Sequence, residues 1–259
     1  MTRAMRLVTW NVNSIRQRLE RLLALLTRHA PDVVCLQETK VLDADFPTEA
    51  LRAAGYHSAT LGQKGYNGVA ILAKAPLSSV SAGFVDGGDD AQARFLAATI
   101  SGVRVMCAYV PNGQSVGSDK FAFKLEWCER LRKYLDREAD PKREVALVGD
   151  FNCAPADLDV HDPLAWQGQV LCSAPERAAL ARIVEWGLVD SFRAKYPDKQ
   201  AFTWWDYRML GFQKGRGLRI DHVLLTKSLY GRVDDVVIDR EERKGKGASD
   251  HAPVIAVLR

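Results

Sequence analysis

Several acidic and amide residues of this sequence stand at the ends of apolar runs. Asn11 closes Arg6-Leu7-Val8-Thr9-Trp10, and Glu38 closes Val33-Val34-Cys35-Leu36-Gln37. Asp150 and Asn152 follow Val145-Ala146-Leu147-Val148-Gly149. Asp221 opens Asp221-His222-Val223-Leu224-Leu225, and Asp250 with His251 precedes Val254-Ile255-Ala256-Val257-Leu258. Strand ends collect at the rim of a sheet, where residues distant in sequence can meet. Carboxylates gathered there repel one another, and a bound cation is the usual reason to assemble them. The pattern is that of a metal-dependent hydrolase.

Each residue also has a plainer reading. Glu38, in Leu36-Gln37-Glu38-Thr39-Lys40, could be a solvated strand terminus; its chemical reading is a ligand for a hard cation. Magnesium takes few protein carboxylates and keeps several waters, leaving room for a phosphate oxygen that Lys40 could support. Gly149-Asp150-Phe151-Asn152 could be a turn, since Gly, Asp and Asn all favour turns. Strand alternation, however, turns Asp150 and Asn152 the same way and Phe151 the other. A carboxylate beside an amide suits the holding of an attacking water and the removal of its proton. His251 could stabilise negative charge developing on a phosphate, with a carboxylate fixing its tautomer, and Asp221 is the candidate for that carboxylate. Asn11 and Tyr109 read as a turn cap and a core aromatic, or as hydrogen-bond partners of Asp150, metal-bound water or phosphate. His29, His57, His161 and His222 read as structural or solvated.

The elements that must position these groups alternate between strand and helix. Leu19, Leu22, Leu23, Leu25 and Leu26 predict a helix over 16–29, ended by Pro31-Asp32. A second helix is predicted over 121–138, with Leu125, Cys128, Leu131 and Leu135 facing inward, and a third over 175–186. Further strands are predicted at 68–72, 95–100, 103–110, 202–205, 219–226, 233–238 and 252–258, with a surface loop at 239–249. Strands outnumber helices and both occur in each half, which favours two packed sheets with helices outside. With 259 residues and nothing resembling a linker, one catalytic domain over 1–259 is expected.

The composition, 47% hydrophobic and 26% charged, is that of a soluble globular chain. The net charge of +4 understates the basic surface if several of the 32 acidic residues form a metal site, so a polyanionic substrate is plausible. Arg3 and Arg6 lead into a short strand pattern, so no secretory signal is expected. No apolar run approaches the length of a membrane span. Cys35, Cys107, Cys128, Cys153 and Cys172 lack paired spacing, which argues against zinc and for reduced thiols in a cytoplasmic protein.

Taken in order, Trp10-Asn11-Val12-Asn13, Leu36-Gln37-Glu38-Thr39-Lys40, Gly68-Val69-Ala70, Tyr109-Val110-Pro111-Asn112-Gly113 and Gly149-Asp150-Phe151-Asn152 form a series. Phe202-Thr203-Trp204-Trp205-Asp206-Tyr207-Arg208, Arg219-Ile220-Asp221 and Ser249-Asp250-His251 complete it. Over essentially the whole chain it resembles the exonuclease III family of class II apurinic/apyrimidinic (AP) endonucleases, bacterial type, within the endonuclease/exonuclease/phosphatase superfamily. The resemblance implies a four-layer α/β sandwich of the DNase I type, two packed mixed β-sheets flanked by helices. It implies magnesium, with manganese as a substitute, held chiefly by Glu38 with Asn11 and Asp250 contributing. Asp150, Asn152, His251, Tyr109 and Asp221 would be the catalytic set. Asn13 stands where the mammalian relative has Asp, and the lack of that relative's long N-terminal extension implies no separate redox-signalling role.

The implied activity is incision of duplex DNA 5′ to abasic sites, with 3′-5′ exonuclease and 3′-phosphatase or phosphodiesterase action on damaged 3′ ends. Monomeric behaviour in the cytoplasm, on the nucleoid when acting on DNA, goes with it. Trp204, Trp205, Leu218 and Ile220 hold the positions that enclose the base-free sugar in the family, although a core role is expected for at least one Trp. Lys40 and Asn112 would bind substrate. Met209-Leu210-Gly211-Phe212 is an apolar tip flanked by Arg208, Lys214 and Arg216, suited to wedging a DNA groove open. Arg240, Arg243, Lys244 and Lys246 read as a solvated charge run. The rivals are a phosphoesterase acting on inositol phosphates, sphingomyelin or RNA tails, and a DNA-binding module without catalysis.

Overall fold

In the computed structural model, which describes residues 4–88 and 91–259, the apolar runs become strands buried on both faces. Arg3 lies outside the described residues. The strands are β1 (Met5–Asn11), β2 (Val33–Gln37), β3 (His57–Leu61), β4 (Val69–Ala73), β5 (Ser78–Ala82), β6 (Phe95–Ile100) and β7 (Val103–Tyr109). They continue with β8 (Val145–Asp150), β9 (Leu188–Asp190), β10 (Trp204–Trp205), β11 (Gly217–Leu218), β12 (Asp221–Thr226), β13 (Val233–Ile238) and β14 (Val254–Leu258). One six-stranded sheet runs β13-β14-β1-β2-β4-β3 and the other β5-β6-β7-β8-β12-β9, with β10 and β11 pairing apart. Both large sheets are mixed: β1 and β2 run parallel, as do β7 and β8, while β14 and β12 run antiparallel to their neighbours.

Alternation along each strand sorts side chains between two layers of core. Leu7, Val33, Cys35, Ile71, Val105, Cys107, Val148 and Val223 meet between the two sheets. Val8, Trp10, Val34 and Leu36 pack outward against the helix Ile15–His29. Met106, Leu147 and Leu224 pack outward against the helices Asp119–Glu138 and Ala174–Val184. The result is four layers, helix–sheet–sheet–helix, as expected. Runs such as Val33-Val34-Cys35-Leu36 show no polar alternation because both faces are covered.

Each long helix has its own boundary chemistry. Asp119–Glu138 is capped by Ser118, whose Oγ accepts the Phe121 amide at 3.2 Å. Ala174–Val184 opens with a capping box of Ser173 and Glu176. Ile15–His29 ends at Ala30, whose left-handed backbone (φ 44°) returns its amide to the Leu26 carbonyl.

Some expectations fail locally. Strand β5 is mostly exposed and serine-rich, so it carries no apolar signal, and β9 is too short to show one. The segment 202–205 yields only the two-residue β10, paired to β11. The segment 239–249 is not a free surface loop. It contains a single turn of 3-10 helix at Arg240–Arg243, and Asp239, Glu242, Arg243 and Ser249 are buried. Glu242 pairs with Arg28 at 2.8 Å, and Arg243 lies 5.0 Å over each of the Tyr207 and Phe212 rings. Among the described residues, no helix is long and apolar enough to cross a membrane.

Candidate active site

Strand direction brings the candidate residues to one rim. The C-terminal ends of β1, β2, β7 and β8 carry Asn11, Glu38, Tyr109 and Asp150. Antiparallel β12 and β14 return to the same rim with their N-terminal ends, delivering Asp221 and, just before β14, His251. Register makes the meeting exact at the centre: Asp150 lies opposite Tyr109 on one side and Asp221 on the other. The backbone there is unusual, with positive φ at Asn13 (43°), Glu38 (54°), Lys40 (58°) and Asn152 (47°). Such geometry in non-glycine residues costs about 1–3 kcal/mol each and concentrates at functional sites.

Among the described residues, Glu38, Asp150 and His251 each place a ligand-type atom within 4.8 Å of the others. Two carboxylates that close repel by at least about 3 kcal/mol at an effective dielectric near 20. The Asn11 amide nitrogen sits between them, donating to Glu38 Oε1 at 2.8 Å and to Asp150 Oδ2 at 2.9 Å. Lys40 Nζ reaches Glu38 Oε2 at 2.8 Å. Burial works to raise the Glu38 carboxyl, but Lys40 and the Asn11 hydrogen bond override it and hold Glu38 below its usual range. Asp150 is fully enclosed, and burial pushes it up to about 7 against the pull of His251, with Asp221 adding to the rise.

Burial alone would discharge His251, yet it is raised to about 10 by Asp221 and Asp150. Its Nδ1 stands 2.9 Å from Asp221 Oδ2 and its Nε2 3.8 Å from Asp150 Oδ2. Both nitrogens therefore face carboxylates and carry protons, so His251 offers no lone pair to a metal. A hard cation would fall to the oxygens of Glu38 and Asp150, the donor type it prefers. The imidazolium is held from behind: Trp10 Nε1 donates to the His251 carbonyl, and Ser249 Oγ accepts the His251 amide. Asp221 is set by Thr203, whose Oγ1 accepts the amides of Ile220 and Asp221.

On the other flank, Asn152 Nδ2 donates to the Val110 carbonyl at 3.0 Å and to Asp150 Oδ2 at 3.3 Å. Its Oδ1 accepts from Asn112 Nδ2 at 3.1 Å. Asp150 and Asn152 do share a side, but not through strand alternation. The strand stops at Asp150, whose Oδ1 accepts the Asn152 amide at 2.9 Å and bends the chain into an Asx turn. The Tyr109 ring lies 4.6 Å under the Arg94 guanidinium. Its hydroxyl is raised well above 10, first by burial and then by Glu38 and Asp150, so it remains a neutral donor.

A family match, described as the endonuclease/exonuclease/phosphatase family, spans residues 8–251. The chain belongs to that family. It is 38% identical to exodeoxyribonuclease III of Haemophilus influenzae, over 97% of this chain and 99% of the relative. A Neisseria 3′ phosphatase bound to a product DNA hairpin superposes with a TM-score of 0.96, at 41% identity, covering 98% of this chain and 99% of that one. An AP endonuclease from Archaeoglobus fulgidus follows at 0.95 and 38% identity, with coverages of 98% and 99%. The two-sheet sandwich with outer helices is thus the fold of the AP endonucleases, as the resemblance implied.

Within this family fold, some candidate residues sit differently from expectation. Asn11 turns its amide nitrogen to the two carboxylates and spaces them, while its oxygen accepts the Asn13 amide at 3.0 Å. Asp250 stands outside the converging group because its oxygens accept from Asn13 at 2.9 Å and Trp204 at 3.1 Å. Trp205 and Leu218 are buried, Trp205 with Phe212 and Ala252, Leu218 with Ile220 and Val160, and neither offers a free surface to a sugar. Phe212 does not belong to the exposed tip either: it packs edge-on to Trp205 at 5.1 Å beneath Arg240. Met209 (75% exposed), Leu210, Arg208, Lys214 and Arg216 do face solvent, and Trp204 is half-buried.

Sequence reasoning passed over Arg94, Arg18, Lys124 and Glu176. Arg18 is buried and donates to the Asn13 carbonyl at 2.8 Å and to the Tyr207 hydroxyl at 2.8 Å. Its helix position, on the same face as Leu22 and Leu25, was the available signal. His222 is structural as expected, with Nδ1 beside Arg219 and Nε2 beside the Cys153 carbonyl.

Proposed function

We propose that this protein is a magnesium-dependent DNA repair nuclease that hydrolyses the phosphodiester bond 5′ to abasic sites and trims damaged 3′ ends by exonuclease and phosphatase or phosphodiesterase action. The observation that carries the reading is the convergence of Glu38, Asp150 and His251, with Asp221 behind His251, at the rim of a family fold shared with DNA repair nucleases. The Neisseria relative, a 3′ phosphatase, supports the 3′-end activity.

In this reading Glu38 and Asp150 hold the magnesium ion, which when bound polarises the phosphate and offsets its charge. Asp150 would take the proton of an attacking water, and Asn152 fixes the carboxylate through Nδ2. The imidazolium of His251 and the neutral hydroxyl of Tyr109 stabilise charge building on the phosphate oxygens. Lys40 and Asn112 hold neighbouring phosphates. Manganese, which also accepts oxygen ligands, substitutes for magnesium.

These groups select a phosphate diester and not an abasic site, so selectivity rests on the surface around them. A base-free nucleotide is easier to extrude than a paired one. The exposed pair Met209 and Leu210, flanked by Arg208, Lys214 and Arg216, enters the groove while the half-buried Trp204 faces the extruded sugar. The protein acts as a monomer in the cytoplasm, where its five buried thiols stay reduced.

The test is a labelled duplex carrying one tetrahydrofuran abasic analogue, incubated with magnesium or with excess EDTA, beside duplexes ending in a recessed 3′ hydroxyl or a 3′ phosphate. Magnesium-dependent incision 5′ to the analogue is expected, and the two ends rank the 3′ activities. Failure of the folded protein to cleave any of the three DNAs with magnesium present would overturn the proposal.

A further inference from the structure

Lys124 lies on the inner face of the helix Asp119–Glu138, with its side chain almost wholly enclosed. An ammonium group has three N–H donors and no acceptor. Three acceptors, two backbone carbonyls and one carboxylate, meet this one. Nζ donates to the Asn152 carbonyl at 2.6 Å, to the Asn112 carbonyl at 3.2 Å, and to the Glu176 carboxylate. Glu176 is buried in turn, and it accepts the amides of Leu171 (2.9 Å) and Ser173 (3.0 Å) and the Ser173 hydroxyl. The pair thus ties two helices and the loop between Asn152 and Ser173 to the backbone under the two asparagines.

A buried ion pair contributes little net stability, because desolvation offsets most of the attraction. What this one fixes is position. Asn152 sits in the left-handed region (φ 47°), and its side chain must reach Asp150 while accepting from Asn112. Charge-assisted bonds to the carbonyls of Asn152, a short one, and of Asn112, a longer one, hold both loops at the spacing that makes this chain of contacts possible.

We infer that Lys124 is a positioning residue of the active site, acting through Asn152 and Asn112 on Asp150, with Glu176 as its counter-charge. The inference rests on the nuclease reading above. Lys124 touches neither the carboxylate cluster nor solvent, and Asn112 and Asp150 keep their own side chains, so its loss should act on turnover more than on metal or DNA binding.

The experiment compares wild type, Lys124→Met, Asn152→Ala and the Lys124→Met/Asn152→Ala double variant on the 3′-phosphate duplex and the abasic duplex. Lys124→Met should lower kcat by about 10- to 100-fold, the cost of a small misplacement of reacting groups, with KM and half-maximal magnesium within about threefold of wild type. In the Asn152→Ala background the same change should cost clearly less than in the wild type, because the side-chain route through Asn152 Nδ2 is already cut and only its backbone amide still reaches Asp150. If Lys124→Met leaves Glu176 unpaired and the protein unfolded, Lys124→Met/Glu176→Gln removes both charges and supplies the folded variant, in which the kcat loss should persist. Full multiplication of the two single losses, or a folded charge-free variant with wild-type kcat, would overturn the inference. Absence of cleavage by the wild type would instead strike the nuclease reading itself.

Discussion

Replacing Asp221 by Asn should slow cleavage while leaving DNA binding intact. Asp221 offers both carboxylate oxygens to His251 Nδ1, at 2.9 and 3.1 Å, and is itself buried away from any substrate. An asparagine keeps the shape but removes the charge, and its amide nitrogen can meet Nδ1 in place of oxygen, turning the imidazole to the wrong tautomer. A hydrogen bond to a charged group is worth about 1.5–3 kcal/mol. If His251 stabilises the transition state as a cation, the loss appears in the barrier as a fall of roughly 10- to 150-fold in rate. The assay is single-turnover cleavage of the abasic duplex at saturating enzyme and magnesium, with Kd from anisotropy in EDTA. A rate within about threefold of wild type would refute the argument that Asp221 holds His251 charged.

Met209→Ala with Leu210→Ala should weaken abasic-duplex binding without altering thermal stability or magnesium response, since both side chains face solvent; unchanged anisotropy would remove the wedge. Phe212→Ala should behave oppositely and lower stability by about 3 kcal/mol in urea melts, because Phe212 fills the space between Trp205 and Arg240. Gly149→Ala should abolish ordered folding or activity, as an added Cβ would stand 1.8 Å from the Ala108 carbonyl oxygen on the neighbouring parallel strand; a soluble, fully active variant would contradict this. Arg219→Met should cost about 3 kcal/mol near neutral pH, because buried Asp159 keeps only Arg193 and half-buried Asp190 loses its guanidinium partner. Burial works to raise both carboxyls, but Arg219 holds them below the usual range, so their contribution is present above about pH 4 and is lost as pH falls through the depressed values. The stability gap between wild type and variant should therefore narrow on acidification, and a gap that widens would disprove it.

The rim residues were legible because a charge at the end of an apolar run has few structural uses, and strand ends share an edge whatever the sheet order. Two packed sheets with helices outside were legible from the excess of strands over helices and the presence of both in each half, and the four-layer sandwich from the family resemblance. Runs such as Val145-Ala146-Leu147-Val148 fit it because both their faces are buried. Lys124 was not, since a lysine near Leu125 on a helix is assigned to solvent by default, while here Lys124 faces inward and Leu125 is only partly buried. Phe212 and Arg243 were misplaced for a related reason. A local apolar tip and a local charge run look exposed, and only their stacking on each other, 5.0 Å apart across a chain separation of some thirty residues, buries both. Asn152 shared a side with Asp150 through a turn that periodicity does not encode.

The central claim, that the Glu38–Asp150–His251 cluster hydrolyses DNA phosphodiesters with magnesium, is tested most directly by Asp150→Asn. Wild type and variant are compared on the same abasic duplex, for cleavage with magnesium and for binding without it. The account predicts a fall in cleavage of about 10²- to 10⁴-fold with duplex binding retained. Cleavage at the wild-type rate by the folded variant would contradict it.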